Sequence, residues 1–215
     1  EYVYELKCDK TFTYSDISKF KNLVSLNCDF CKKITDIEIN ELKCLRYLSC
    51  YTCERITDKS IRKLKKIKKL NCSICHNITD ISIRELNQLT SLNCMWSWEI
   101  TDWGIKKLKN LTELYCSNCR GITDISIKEL RFLTILECED CQNITDSVLK
   151  ELKSLTSLDC RFCKKYNGCW YKRIKIIKKT RLWGLSRDSE FRQRKIRIMT
   201  HLNCSGCYFI TDYGI

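Results

Sequence analysis

"CSICHNITDISIRELNQLTSLNC", residues 72–94, holds one full period of a pattern and the first residue of the next. Cys28, Cys50, Cys72, Cys94, Cys116, Cys138 and Cys160 follow one another at intervals of 22. A second series, Cys31, Cys53, Cys75, Cys119, Cys141 and Cys163, keeps the same beat, with Ser97 in the vacant place. Ile-Thr-Asp recurs at 34–36, 56–58, 78–80, 100–102, 122–124 and 144–146. Self-similarity this strict describes a stacked array.

Within one unit, Leu89-Thr-Ser-Leu92-Asn-Cys94 alternates apolar and polar side chains, which predicts a short strand with Leu92 and Cys94 facing inward. Ile100-Thr-Asp102 then leads into Ile105 and Leu108, spaced by three as on a helix. Thr and Asp both suit the N-cap, because a side-chain oxygen accepts from a free N–H of the first turn. A unit of 22 residues cannot bury its own apolar stripe. Stacking strand on strand, about 4.8 Å apart, makes one continuous core.

The pattern L-x-x-L-x-C-x-x-C-x-x-I-T-D-x-x-I-x-x-L resembles the cysteine-containing class of leucine-rich repeat. It covers about residues 21–163 and returns at 200–215. The resemblance implies an α/β leucine-rich repeat solenoid, curved, with a parallel sheet on the concave face and short helices on the convex one. The unit is shorter than is usual for that class and carries Cys where Leu would end the strand. Residues 1–20 read as a degenerate edge repeat: Leu6 and Cys8 fit, but Cys8 and Cys28 are 20 apart.

Residues 164–199 break the pattern, opening with "KKYNGCWYKRIKIIKKTRLWGL". Cys160 and Cys204 are 44 apart, two periods, so the array resumes in phase. A codon string compatible with Tyr166–Trp183, read one nucleotide later, restores an Ile-Thr-Asp unit, and the segment therefore reads as a repeat translated out of frame. It also holds the charge. Between Lys164 and His201 stand 13 Lys/Arg against Asp188 and Glu190, a net of +11 that leaves only +2 of the chain's +13 elsewhere. A rival reading makes 164–197 a nucleic-acid or anionic-membrane binder, with aromatics among cations. A third makes the chain the product of a decayed repeat gene.

The chain of 215 residues is 44% apolar, enough for one domain with a core. It has no run of about 18 apolar residues and no signal-peptide pattern at its start, and both ends read as cuts in something longer. Cys-x-x-Cys pairs 18 residues apart fall within the spacing of four-cysteine zinc sites, but Ser97 breaks one pair and zinc leaves the beat of Leu and Ile unexplained. No metal and no cofactor is expected; each Cys reads as a small buried hydrophobe with a weak S–H donor. Of the two histidines, His76 falls in a turn and His201 in a strand, and no phosphate-binding loop occurs, so no catalytic residue is assigned and no enzyme activity is expected.

That leaves the concave surface. With Leu92 and Cys94 inward, the alternate positions point out: Tyr47, Ser49 and Tyr51; Lys69, Asn71 and Ser73; Ser91, Asn93 and Met95. Then come Glu113, Tyr115 and Ser117; Ile135, Glu137 and Glu139; Ser157, Asp159 and Arg161. The strip is aromatic and polar at first and acidic later. The candidate partner-binding residues are Tyr47, Tyr51, Met95, Trp96, Trp98, Glu113, Tyr115, Glu137, Glu139 and Asp159. Trp96 and Trp98 read either as interface anchors or as filler for the space left by Ser97. "KSIRKLKKIKK", 59–69, reads as a solvated convex face with Ile61, Leu64 and Ile67 inward.

The repeats are similar to the substrate-recognition arrays of F-box proteins, which implies a protein partner and ubiquitin-ligase components. They are also similar to repeat proteins of large DNA viruses, which implies a host cell. The expectation is a non-enzymatic interaction scaffold in a reducing, cytoplasmic setting, without nucleic-acid or membrane partners.

Overall fold

The computed structural model describes residues 4–9, 17, 19–163, 174–176, 197–205 and 207. Each unit contributes a three-residue strand: β1 (Glu5–Lys7), β2 (Ser25–Asn27), β3 (Tyr47–Ser49), β4 (Lys69–Asn71), β5 (Ser91–Asn93), β6 (Glu113–Tyr115), β7 (Ile135–Glu137) and β8 (Ser157–Asp159). Together with β11 (His201–Asn203) they form one nine-stranded parallel sheet in sequence order. Register is set by the period, so that Leu48, Leu70, Leu92, Leu114 and Leu136 stand side by side.

Among the described residues six short helices answer the strands: α1 (Asp36–Glu41), α2 (Asp58–Ile61), α3 (Asp80–Ile83), α4 (Asp102–Ile105), α5 (Asp124–Ile127) and α6 (Asp146–Leu149). Between the two layers, Leu114, Cys116, Cys119, Ile122, Ile127, Leu130 and Leu133 of one unit are all 0% exposed. Ile61, Leu64 and Ile67 turn inward as the convex reading requires. This is the leucine-rich solenoid.

Thr and Asp divide the capping work. Thr35, Thr57, Thr79, Thr101, Thr123 and Thr145 are the N-caps, each accepting from the N–H two residues on. The Asp beside each of the first five serves the next unit instead. Asp102 accepts from the Thr123 N–H at 2.8 Å, the Thr123 hydroxyl at 2.6 Å and the Ser126 hydroxyl. Asp36, Asp58, Asp80 and Asp124 hold Thr57, Thr79, Thr101 and Thr145 in the same way.

A second ladder runs through the sulfurs. The thiols of Cys53, Cys75, Cys119, Cys141 and Cys163 donate to the carbonyls of Cys28, Cys50, Cys94, Cys116 and Cys138 at 2.9–3.1 Å. Ser97 is equally buried, and its hydroxyl donates to the Cys72 carbonyl at 3.0 Å. Trp96 and Trp98 stay largely outside the core, 45% and 57% exposed.

Between paired cysteines the chain turns sharply. Phe30, Thr52, Ile74, Trp96, Asn118, Asp140 and Phe162 all have φ of 55–63°, the left-handed region. Cys53 N–H bonds back to the Cys50 carbonyl at 3.0 Å while Thr52 N–H still reaches the Ser73 carbonyl, so the sheet's ladder continues through the turn. Asn and Asp suit this conformation; β-branched and bulky residues do not.

The segment from 164 to 199 is passed over by the sheet. β11 pairs directly with β8, Leu202 beside Leu158 and Asn203 beside Asp159. Within it, β9 (Ile174–Ile176) and β10 (Arg197–Met199) pair in parallel as a separate two-stranded sheet. Residues 164–173 and 177–196, on which the out-of-frame reading falls, lie outside the described residues, as do 208–215 of the resumed repeat.

Two stability outcomes are expected. Replacing Ser97 by Ala deletes the donor to a buried carbonyl and lowers unfolding free energy by about 1–3 kcal/mol, whereas Ser97→Cys restores the ladder and stays within about 0.5 kcal/mol of the parent; urea midpoints at constant slope decide it. Thr52→Asn relieves the left-handed penalty and raises the midpoint by about 0.5–1 kcal/mol.

Candidate functional site

The outward positions of the strands form three rows on the concave face, and their chemistry changes midway. Over β2–β5 the polar groups satisfy one another. Ser49 donates to Asp29 at 2.6 Å, the Asn71 amide to Ser49 at 3.0 Å, and Ser73 to Asn93 at 2.6 Å. Ser73, Ser91 and Ser117 point toward this face yet are buried, at 3%, 8% and 2% exposure. Lys69 reaches over β5 toward Glu113, at 3.9 Å, across the row that holds Ser91. Small hydroxyl side chains sink between longer neighbours, which the alternation pattern does not reveal.

Over β6–β8 the face is acidic. Tyr115, Glu137 and Asp159 are direct neighbours in one row, and Glu113 pairs with Ile135 in the next. Arg161 neutralises part of the charge: its Nε lies 2.9 Å from Asp159 and its terminal nitrogen 2.7 Å from Glu139. Glu137 has no ion pair among the described residues. Burial first, and the nearby Asp159 charge second, push its carboxyl above the ordinary glutamate range. Burial likewise raises the Tyr115 phenol, with Glu113 and Glu137 adding to it. Arg161 and His201 oppose that shift without cancelling it, so a partner's cation placed here would meet a half-buried, only partly compensated carboxylate beside an aromatic ring.

The sequence-derived residues thus fall into separate groups. Glu113, Tyr115, Glu137, Glu139 and Asp159 converge on β6–β8. Tyr47, 39% exposed, and Tyr51, packed edge-on against Phe30 at 5.0 Å, lie on and beside β3, about 15 Å away at ordinary strand spacing. Met95 is half-buried beyond β5, its N–H held by Asn93. Trp96 and Trp98 stand in the turn after β5 and its continuation, not on the sheet face; the Trp98 ring lies 5.6 Å from His76. The sequence-derived set lacks Arg161, Lys69 and His201. All three occupy outward registers of the same rows, so position alone marks them.

The cysteines offer little chemistry. The seventeen described are free thiols, fifteen of them buried. A neighbouring thiol and burial push Cys28, Cys50, Cys94, Cys116 and Cys138 well above the usual range, and burial alone comes first for Cys72, which faces Ser97. These six thiols, held protonated, are poor nucleophiles and poor metal ligands. Among the described residues no three of His, Cys, Asp and Glu gather in a metal-holding group.

No family model matches the chain, and no curated protein sequence matches it. Solved structures match in fold. The functional domain of InlJ from Listeria monocytogenes, which includes a cysteine ladder, is 22% identical over 98% of this chain and 50% of its own, with a TM-score of 0.58. An internalin, InlF, of the same organism is 22% identical over 74% of this chain and 54% of its own, with a TM-score of 0.54. A leucine-rich repeat protein of Leptospira interrogans is 22% identical over 79% and 46%, with a TM-score of 0.56. The chain spans about half the length of each, and what it shares with them is the leucine-rich solenoid fold.

The raised Glu137 carboxyl has a measurable consequence. A carboxyl whose folded value is raised takes up its proton more readily when folded, so it lowers stability as pH rises through the window from its unfolded to its folded value. Glu137→Gln is expected to raise the urea midpoint at pH 7 and to leave it unchanged at pH 3.5, below that window.

Proposed function

We propose that the chain is a non-enzymatic protein-interaction scaffold whose concave face over β6–β8 receives a Lys or Arg side chain of its partner. One observation carries this reading: Glu137 lies half-buried and, among the described residues, without an ion pair in the middle of an acidic row, while Glu139 and Asp159 are already held by Arg161. Leaving such a carboxylate desolvated costs free energy that a partner's cation would recover. Tyr115 and Ile135 supply aromatic and aliphatic surface around it, the composition of an interface hot spot. The fold supports the reading, since solenoids present extended concave surfaces of this kind.

The finer role of substrate recognition in a ubiquitin ligase rests on the resemblance of the repeat to F-box arrays alone, and placement in a host cell on the resemblance to viral repeat proteins alone. A reducing, intracellular setting is supported by two columns of buried thiols used as hydrogen-bond donors rather than as bridges.

The test is selection of ligands from a random displayed-peptide library against the folded protein, followed by affinities at two salt concentrations. Selected peptides are expected to carry Lys or Arg beside aliphatic residues. The variant Glu137→Gln is expected to bind them at least about tenfold more weakly without a lowered thermal melt. Undiminished binding by that variant would move the site off this face.

A further inference from the structure

The small net charge of the solenoid conceals a division within it. Seven stretches lead into β2–β8: 19–24, 40–46, 62–68, 84–90, 106–112, 128–134 and 150–156. They hold 17 Lys and Arg against four acids, Glu41, Glu85, Glu129 and Glu151, a net of +13. The rest of residues 19–163 holds seven Lys and Arg against fifteen Asp and Glu, a net of −8. The expectation of no nucleic-acid partner came with a sum of only +2 outside the basic stretch, and a sum is blind to this separation.

Stacking turns the excess into rows. Lys21, Lys43, Lys65, Lys109, Arg131 and Lys153 occupy one position of successive units, with Asn87 in the remaining place, and all are exposed. The units are tied in register there: Lys68 N–H bonds to the Arg46 carbonyl, and Thr90 N–H to the Lys68 carbonyl, each at 2.8 Å. Cations therefore follow one another along a single edge, about 5 Å apart at strand spacing. Two of the four acids are already engaged on that edge, Glu85 by Lys65 and Glu129 by Lys109, both at 2.6 Å across adjacent units.

Two shallow grooves run along the same edge, just ahead of the strands. Arg46, Lys66, Asn22 and Tyr4 help to line one of about 280 Å³, and Lys68, Gln88, Asn110 and Phe132 help to line the other, of about 620 Å³. No acid lines either. The hydroxyls of Thr90, Thr112 and Thr134 donate to carbonyls of the preceding unit, so the groove presents cations, amides and a ring rather than free hydroxyls. Phe132 is 62% exposed.

These features separate the candidate occupants. A protein hot spot or a bilayer takes up several apolar anchors, and Phe132 is the one large apolar side chain of these stretches left exposed. A regular row of cations along an extended edge fits a linear polyanion instead, and a flat ring beside amides fits bases carried along it. We propose that this edge binds single-stranded nucleic acid, with phosphates along the Lys and Arg rows and a base stacked on Phe132. The site is separate from the acidic concave face, so neither reading depends on the other.

The experiment is a fluorescence-anisotropy titration of a labelled oligouridine of about 20 nucleotides with the full chain, between about 50 and 200 mM salt. Three variants accompany the parent. Arg46→Gln, Lys66→Gln, Lys68→Gln and Arg131→Gln together remove charge from the edge. Lys172→Gln, Arg173→Gln, Lys178→Gln and Lys179→Gln together remove as much from the basic stretch, and Phe132→Ala removes the ring. The edge variant is expected to bind about tenfold or more weakly, with a log–log salt slope shallower by up to about three. Phe132→Ala is expected to lose about fivefold or more, and the basic-stretch variant less than the edge variant. Each should keep the parent's urea midpoint, since the substituted side chains lie outside the core. Absence of binding by the parent overturns the proposal, as does loss confined to the basic-stretch variant. Loss in the edge variant with unchanged binding by Phe132→Ala overturns the nucleic-acid assignment in favour of a bare polyanion site, which phosphatidylserine vesicles and an acidic peptide would then separate. Self-association of the parent without oligonucleotide, abolished in the edge variant, overturns it in favour of pairing with the acidic side of a second copy.

Discussion

A coil of 22 residues cannot satisfy its own buried polar groups. Each carbonyl at the end of a strand and each free N–H at the start of a helix is buried or nearly so, and leaving one unpaired costs about 1–3 kcal/mol. The structure meets this constraint sideways. The thiol of one unit serves the carbonyl of the unit before it, and the carboxylate of one unit caps the unit after it. Stability therefore belongs to the joints between coils as much as to the apolar residues inside them. Ser97 shows the rule at its simplest, because sulfur gave way to oxygen while the donor stayed.

Positions that serve the joints leave no freedom, so variation gathers on the remaining surfaces, and two surfaces diverge. On the concave side the chemistry drifts from a self-satisfied network of Ser and Asn to a row of carboxylates only partly neutralised by Arg161. On the turn edge, apolar side chains replace the polar ones that the backbone prefers. The unit from Cys94 to Tyr115 departs most from the others. It carries Met95, Trp96, Ser97, Trp98, Trp103 and Gly104. Gly104 stands where Ser60, Ser82 and Ser126 stand elsewhere, and a Cβ there would lie 2.3 Å from the Asp80 carboxylate, which occupies that space.

Period, strand and inward positions were legible in the sequence because each is a repeated choice: seven cysteines at one interval settle what one could not. The outward rows followed from the same count. Three features did not. Thr57 and Asp58 are both good caps by type, and only the stacking of coils assigns Thr to its own helix and Asp to the next unit. Burial of Ser73 and Ser117 depends on the length of neighbouring side chains across strands, which a linear pattern does not carry. The left-handed turn was concealed by its occupants, since Ile74 and Thr52 advertise extended backbone and are overruled by the hydrogen bonds on either side.

The pairing of β11 with β8 closes the sheet over a stretch of chain two periods long as though nothing intervened. Every coil offers the same donors and the same acceptors to its neighbour, so any coil can follow any other. Unequal recombination between such copies would add or delete whole turns without leaving a mismatched seam. Array length is then a heritable variable largely uncoupled from the fold, and a lineage carrying this gene can lengthen or shorten its surface in single genetic steps, keeping whichever length suits what it must reach.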